Sequence, residues 1–156
     1  MSFRIEGLAP DPFQPLFDLD DRALSARGVR RRVVDAKPGY PCRVSLQDAE
    51  LGEDVLLLPW EHHATPSPYR ASGPIYVRKS AVKAWAGAPG SVPPMLRHRL
   101  LSVRAYDAEG LMVGAEVREG SDLEEAISRL FANPSAAYLH VHNAKPGCFV
   151  CRVDRA

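Results

Sequence analysis

Residues 99–154 decide the fold. Arg99-Leu-Leu-Ser-Val-Arg-Ala-Tyr106 and Leu111-Met-Val-Gly-Ala-Glu-Val-Arg118 read as two strands, and Asp107-Ala-Glu-Gly110 between them has the composition of a hairpin turn. Ser121-Asp-Leu-Glu124 then shows capping-box spacing, with Ser at the N-cap and Glu three residues on. Behind it Leu123, Ala126, Ile127, Leu130 and Phe131 recur at helical spacing until Asn133-Pro134 stops the helix. Ala136 to His142 and Phe149 to Asp154 are the last two strands. The order strand, strand, helix, strand, strand predicts an antiparallel or mixed sheet with the helix on one face.

Working outward, Phe3 to Leu8 reads as an edge strand, and a Pro-rich connector runs from Pro10 to Pro15. Asp20 to Arg27 is a short helix closed by Gly28. A strand at Arg31 to Asp35 enters the turn Ala36-Lys-Pro-Gly39 and leaves through a strand at Cys42 to Leu46. The continuous apolar run Val55 to Trp60 suits the centre of a sheet, Glu61 to Ser72 is a loop carrying His62 and His63, and Gly73 to Arg78 is a further strand. Ala81 to Ala86 reads as one or two helical turns, ended by Pro93-Pro94. The expected class is α+β: a single domain over residues 1–156, mainly antiparallel or mixed β-sheet, with one well-defined C-terminal helix packed on one face and a short N-terminal helix.

Composition narrows the function classes. A chain of 156 residues with 46% hydrophobic and 25% charged residues is long enough for a real core. Its net charge of +1 argues against disorder and against a nucleic-acid footprint. No apolar run approaches the ~20 residues of a membrane span, and the first residues lack the apolar centre of a signal peptide, so a cytoplasmic protein with no membrane partner is expected. The 14 prolines imply short elements and many rigid turns. Three cysteines, Cys42, Cys148 and Cys151, are an odd count without an export signal, so reduced thiols are expected.

Strand parity sorts the polar side chains. If the helix lies on Val113, Ala115, Val117, Leu139 and Val141, then Tyr138, His140 and His142 share the opposite face, joined by Arg104 and Tyr106. Cys42, Val44 and Leu46 would be core, with Arg43 and Ser45 pointing away; Cys151 would be core, with Cys148 and Arg152 on the other side. Asp35-Ala-Lys-Pro-Gly-Tyr-Pro-Cys-Arg-Val44 echoes Asn143-Ala-Lys-Pro-Gly-Cys-Phe-Val-Cys-Arg-Val153 apart from one inserted residue. Good turn and strand-start chemistry accounts for the echo as well as duplication does, and with no comparable period in the rest of the chain a duplicated domain is not expected.

Three kinds of site are open. Arg70, Ser72 and Arg78 near a glycine, with Arg43, Arg152 and the His140/His142 face, suit a small anionic ligand. His142 could hold Cys148 as a nucleophilic thiolate. His140, His142, Cys148 and Cys151 carry the donor types of a zinc site, a weak signal from a single CxxC and one that parity opposes. His62 and His63 sit in a Pro-rich loop, where exposed histidines are more often solvated. A polar face could also serve as an oligomer interface, and oligomeric state is open.

The stretches Ala36-Lys-Pro-Gly-Tyr-Pro-Cys-Arg-Val-Ser-Leu46, Pro68-Tyr-Arg-Ala-Ser-Gly-Pro-Ile-Tyr-Val-Arg78, His140-Val-His-Asn-Ala-Lys-Pro-Gly-Cys148 and Arg152-Val-Asp-Arg155 resemble a small bacterial family known as domain of unknown function 1203. The resemblance runs over nearly the whole chain and implies a stand-alone domain of about this length. It carries over no activity, cofactor or catalytic residue. The leading expectation is an Arg/His-lined pocket for a small anionic ligand; the alternative is a small enzyme using Cys148 and His142 or a His/Cys metal site. Overall neutrality is compatible with a locally positive pocket near the two Pro-Gly turns, where acidic residues are few.

Overall fold

The computed structural model describes residues 2–156. Its eight strands form two antiparallel sheets, and the class is broadly α+β. The larger sheet takes β1 (Phe3–Glu6), β5 (Leu100–Tyr106), β6 (Met112–Glu119), β7 (Tyr138–Asn143) and β8 (Phe149–Arg155) in the order β1-β8-β7-β5-β6. The smaller takes β2 (Arg30–Val33), β3 (Asp54–His63) and β4 (Ala71–Arg78) in sequence order. The helices are α1 (Asp21–Ala26) and α2 (Leu123–Phe131). No helix is long and apolar enough to cross a membrane.

Local chemistry explains most boundaries. Asp20 caps α1 by accepting the backbone N–H of Ala23 at 2.8 Å, and Gly28 follows at φ 72°, a conformation that costs glycine little. Gly110 closes the β5–β6 hairpin at φ 79°. The expected capping box does not form: Gly120–Asp122 is a 3-10 turn, Asp122 takes the N-cap position, and Ser121 Oγ donates to the Asp122 carboxylate at 3.2 Å. Glu124 instead engages Arg97 through both guanidinium nitrogens.

Five side chains of α2, Leu123, Ala126, Ile127, Leu130 and Phe131, are buried in one cluster with Leu101, Val103 and Ala105 of β5, Leu139 and Val141 of β7, and Cys151 and Val153 of β8. The expected contact surface on β6 is corrected in part: Val113 packs against this cluster, but Ala115 and Val117 do not. Val117 is 62% exposed and Ala115 is exposed, whereas Leu130 lies 3.2 Å from where a Gly114 Cβ would stand and Arg129 pairs with Glu116. Gly114 and Glu116 thus lie in the helix-facing row, where a side chain at 114 would press on Leu130. A second cluster joins the smaller sheet to the N-terminal segment through Phe13, Phe17, Leu24, Leu56, Leu58, Ile75 and Val77.

Two strand expectations are also corrected. Cys42–Leu46 is a turn, closed by the Leu46 N–H on the Cys42 carbonyl at 3.0 Å, with Leu46 at φ 49°. Alternation therefore does not apply there, and Arg43 is buried along with Cys42, Val44 and Leu46. β3 runs on through His63, past Pro59, which faces Pro74 across the ladder; β2 begins opposite Leu57, so a proline at 59 interrupts no bond on that side. His62 and His63 are therefore strand residues, and His63 is buried.

Candidate functional site

The two Pro-Gly turns meet. Gly39, Pro41 and Arg43 from the first, and Asn143, Lys145, Pro146 and Cys148 from the second, line one cavity of about 750 Å³. Leu57, Pro74 and Tyr76 give it an apolar wall; His98, Arg99 and Glu119 complete the rim. The second turn is the β7–β8 hairpin, held by the Gly147 N–H on the Asn143 carbonyl and the Asn143 N–H on the Cys148 carbonyl, both at 2.9 Å. The first is pinned by Arg43 itself, whose backbone N–H donates to the Tyr76 carbonyl. The echoed segments share a destination but not a conformation, since Cys42 opens a turn and Cys151 lies within β8.

Arg43 is the most unusual group in the cavity. The residue is 1% exposed, Nε donates to the Phe149 carbonyl at 2.7 Å, and Nη1 donates to the Pro41 carbonyl at 2.6 Å. Among the described residues it has no carboxylate partner. Burial lowers its pKa from the ordinary arginine value, an effect partly offset by the neighbouring Cys148 and Cys42 thiols. Cys148 Sγ accepts a hydrogen bond from Asn143 Nδ2 at 3.3 Å. Lys145 is exposed and has no ion-pair partner among the described residues. Arg99, by contrast, is held by Asp48.

The other expected ligand residues lie elsewhere. Arg70 is exposed and grips Glu61 with Nε and Nη2 at 3.0 and 3.2 Å. Arg78 is occupied by Glu53, Gln47 and Ser45. Ser72 is exposed on β4, outside this cavity. Arg152 chelates Asp154 and lies 4.1 Å from the centre of the Tyr138 ring. These arginines are neutralised by the protein's own carboxylates, so the single converged anion site expected from sequence reduces to Arg43 and its neighbours. The Cys148–His142 pair is likewise not made: His142 Nδ1 donates to the Gly147 carbonyl at 2.9 Å while Cys148 receives Asn143. The His140, His142, Cys148, Cys151 set does not converge either, because Cys151 faces the α2 side of the sheet with its thiol pushed up to about 12 by burial. Among the described residues no group of three or more His, Cys, Asp or Glu side chains stands ready to hold a metal ion.

The His140/His142 face is real, and β3 completes it. The end of β3 lays His62 and His63 over β5 and β7, with ring centroids 5.1 Å apart for His62–His142 and for His63–His140. His62 stacks on Phe149 at 5.2 Å and 9°. His63 donates from Nδ1 to the Tyr69 carbonyl at 2.8 Å and accepts the Tyr138 hydroxyl at Nε2, 2.6 Å away. Burial and cationic neighbours depress the histidine pKa values, His140 to about 2 and His142 to about 4, with His62 also lowered. Reading residues 61–72 as a loop concealed His62 and His63; the run of strand-compatible residues continuing past Pro59 was the available signal.

Fold and cavity together define a small α+β protein of two antiparallel sheets with a cationic, thiol-bearing pocket at their junction. The chain belongs to the family described as protein of unknown function, DUF1203, whose model matches residues 39–155 and so spans every residue lining the cavity. No curated protein and no solved structure matches it.

Proposed function

We propose that the protein binds a small organic anion, such as a carboxylate or a phosphate ester, in the cavity between the two Pro-Gly turns. The observation that carries this reading is the Arg43 guanidinium, buried at the cavity wall with carbonyl partners and no carboxylate. A buried cation without a counter-charge is costly, and an anion entering the cavity supplies one. Lys145 adds an exposed positive charge at the mouth, and Leu57, Pro74 and Tyr76 offer apolar surface to the ligand's carbon skeleton. Cys148 reports on occupancy, being the one half-exposed thiol beside two buried ones.

The test is a panel of small mono- and dicarboxylates and phosphate esters, read by thermal shift and by protection of Cys148 from iodoacetamide. At least one member should raise the melting temperature and slow alkylation, and Lys145→Glu should weaken that ligand about tenfold, the equivalent of ~1.4 kcal/mol. Arg43→Met should abolish binding; if that variant does not fold, Lys145→Glu decides. A panel in which no compound shifts melting or protects the thiol refutes the reading.

A further inference from the structure

Sheet edges are where a β protein meets other chains, because an unpaired edge leaves backbone N–H and C=O groups free. The two open sheets end in β1, β6, β2 and β4. Residues 85–90 cover β1, with the Gly7 N–H on the Trp85 carbonyl, the Gly90 N–H on the Phe3 carbonyl and a bridge from Glu6 to Ala86. The segment around Cys42 covers β4, with the Arg43 N–H on the Tyr76 carbonyl. β2 has four residues, three of them arginine, so a copy of itself would set arginine against arginine. β6 differs from all three. It has eight residues, and among the described residues no segment other than β5 shares backbone hydrogen bonds with it. It also carries Val117, which is 62% exposed. We propose that β6 pairs antiparallel with β6 of a second copy of this chain about a two-fold axis at Val117, joining the two five-stranded sheets.

Backbone direction sets which residues are available for this ladder. The Gly120 N–H donates to the Arg99 carbonyl at 2.8 Å, which makes Arg99 and Gly120 a hydrogen-bonded pair. Such pairs recur at every second position of an antiparallel register, here Leu101 with Arg118, Val103 with Glu116 and Ala105 with Gly114. The N–H and C=O groups of Ala115, Val117 and Glu119 therefore point away from β5, towards the open edge.

A two-fold pair must be complementary to itself, and this condition selects the register. With the axis at Glu116 or at Arg118, that residue faces its own copy, and like charges directly opposite are destabilising. With the axis at Ala115, the ladder runs into the irregularity where Ala105 and Tyr106 shift against β6. At Val117 both problems disappear. Val117 meets the second copy's Val117 on the open face, Ala115 meets the second copy's Glu119, and Glu116 stands opposite the second copy's Arg118 in the close type of pair. Glu116 already contacts Arg118 of its own chain at 3.0 Å and Arg129 at 3.2 Å, so the two-fold axis extends these into one network of unlike charges. An arbitrary strand could use the free ladder, but the sequence Glu116-Val-Arg118 matches its own reverse, which identifies a second copy as the occupant. The ladder supplies about six hydrogen bonds over a contact at the small end of specific interfaces, so the dissociation constant is on the order of 10–100 µM. Arg43 and Lys145 take no part, so the dimer and the anion site stand or fall separately.

The test is sedimentation velocity on the full chain over about 5–500 µM, with disulfide trapping to read the register. The protein should pass from monomer to dimer over that range, and Val117→Lys should weaken association at least tenfold while the near-UV circular dichroism stays native. For trapping, Val117→Cys and Ala115→Cys are compared in a Cys148→Ser background; Cys42 and Cys151 are buried and do not compete. The two-fold axis sets position 117 about 5.5 Å from its own copy between Cα atoms, within reach of a disulfide, and position 115 opposite 119. Val117→Cys should therefore form a covalent dimer about ten times faster than Ala115→Cys under the same mild oxidant. A chain still monomeric at about 500 µM, a dimer that a folded Val117→Lys protein retains, or equal trapping at the two positions overturns the proposal.

Discussion

At the scale of single residues, the buried histidines make stability depend on pH in a defined direction. His140 and His142 have folded-state values of about 2 and about 4 against an ordinary 6.5. Below pH 6.5 the unfolded chain takes up protons that the folded chain refuses, so their contribution is complete above that value and is lost as pH falls towards the folded values. The groups facing them reinforce the effect: His62 and His63 from β3, Arg104 from β5 and Arg152 from β8 all disfavour a further positive charge. Between pH 6 and pH 5 the two together should lower the unfolding free energy by about 2 kcal/mol. Urea titrations in metal-free buffer measure this, and His140→Phe should roughly halve the slope. An unchanged midpoint over that interval would contradict the depressed values. Parity read from sequence already placed His140 and His142 on one polar face, because β7 is a regular strand. It failed at Arg43, because alternation holds only where the chain is extended and residues 42–46 are a turn.

At the scale of elements, what was legible depended on whether the signal was local. The helical spacing of Leu123, Ala126, Ile127, Leu130 and Phe131 is a property of the segment, and all five are buried. The cap of α2 departs from the capping-box expectation because two solutions compete for the same residues: a capping box needs Glu124 to reach back, and Arg97 from the preceding connection holds it instead. The two helix starts therefore respond differently to mutation. Asp20→Ala removes a side chain that accepts the Ala23 N–H and should cost about 1 kcal/mol. Ser121→Ala removes no cap and should change stability by less than about 0.5 kcal/mol. Chemical denaturation of the two variants side by side checks the contrast; an equal loss would mean that Ser121 caps α2 after all. The extent of β3 is not a local signal either, since the tolerance of Pro59 is set by where β2 begins, a property of the assembled sheet.

At the scale of the whole molecule, the cavity exists because separate parts of the chain are tied together across the two sheets. The first turn reaches β8 through Arg43 on the Phe149 carbonyl, and it reaches the start of β5 through Asp48, which both Arg99 terminal nitrogens contact. The Asp48–Arg99 pair has side-chain exposures of 7% and 13%, so it is shielded from the screening that makes surface pairs weak. Asp48→Ala leaves the Arg99 charge buried without its partner and should cost about 3 kcal/mol. The double variant Asp48→Ala/Arg99→Met removes both charges and should recover a large part of that loss, which a double-mutant cycle in urea would measure. If the double variant were no more stable than Asp48→Ala, the damage would lie in the packing of the turn rather than in the stranded charge. The same logic separates the two arginines of the cavity: Arg99 already has its anion within the protein, and Arg43 does not. That difference in internal pairing is what assigns the ligand's charge to Arg43.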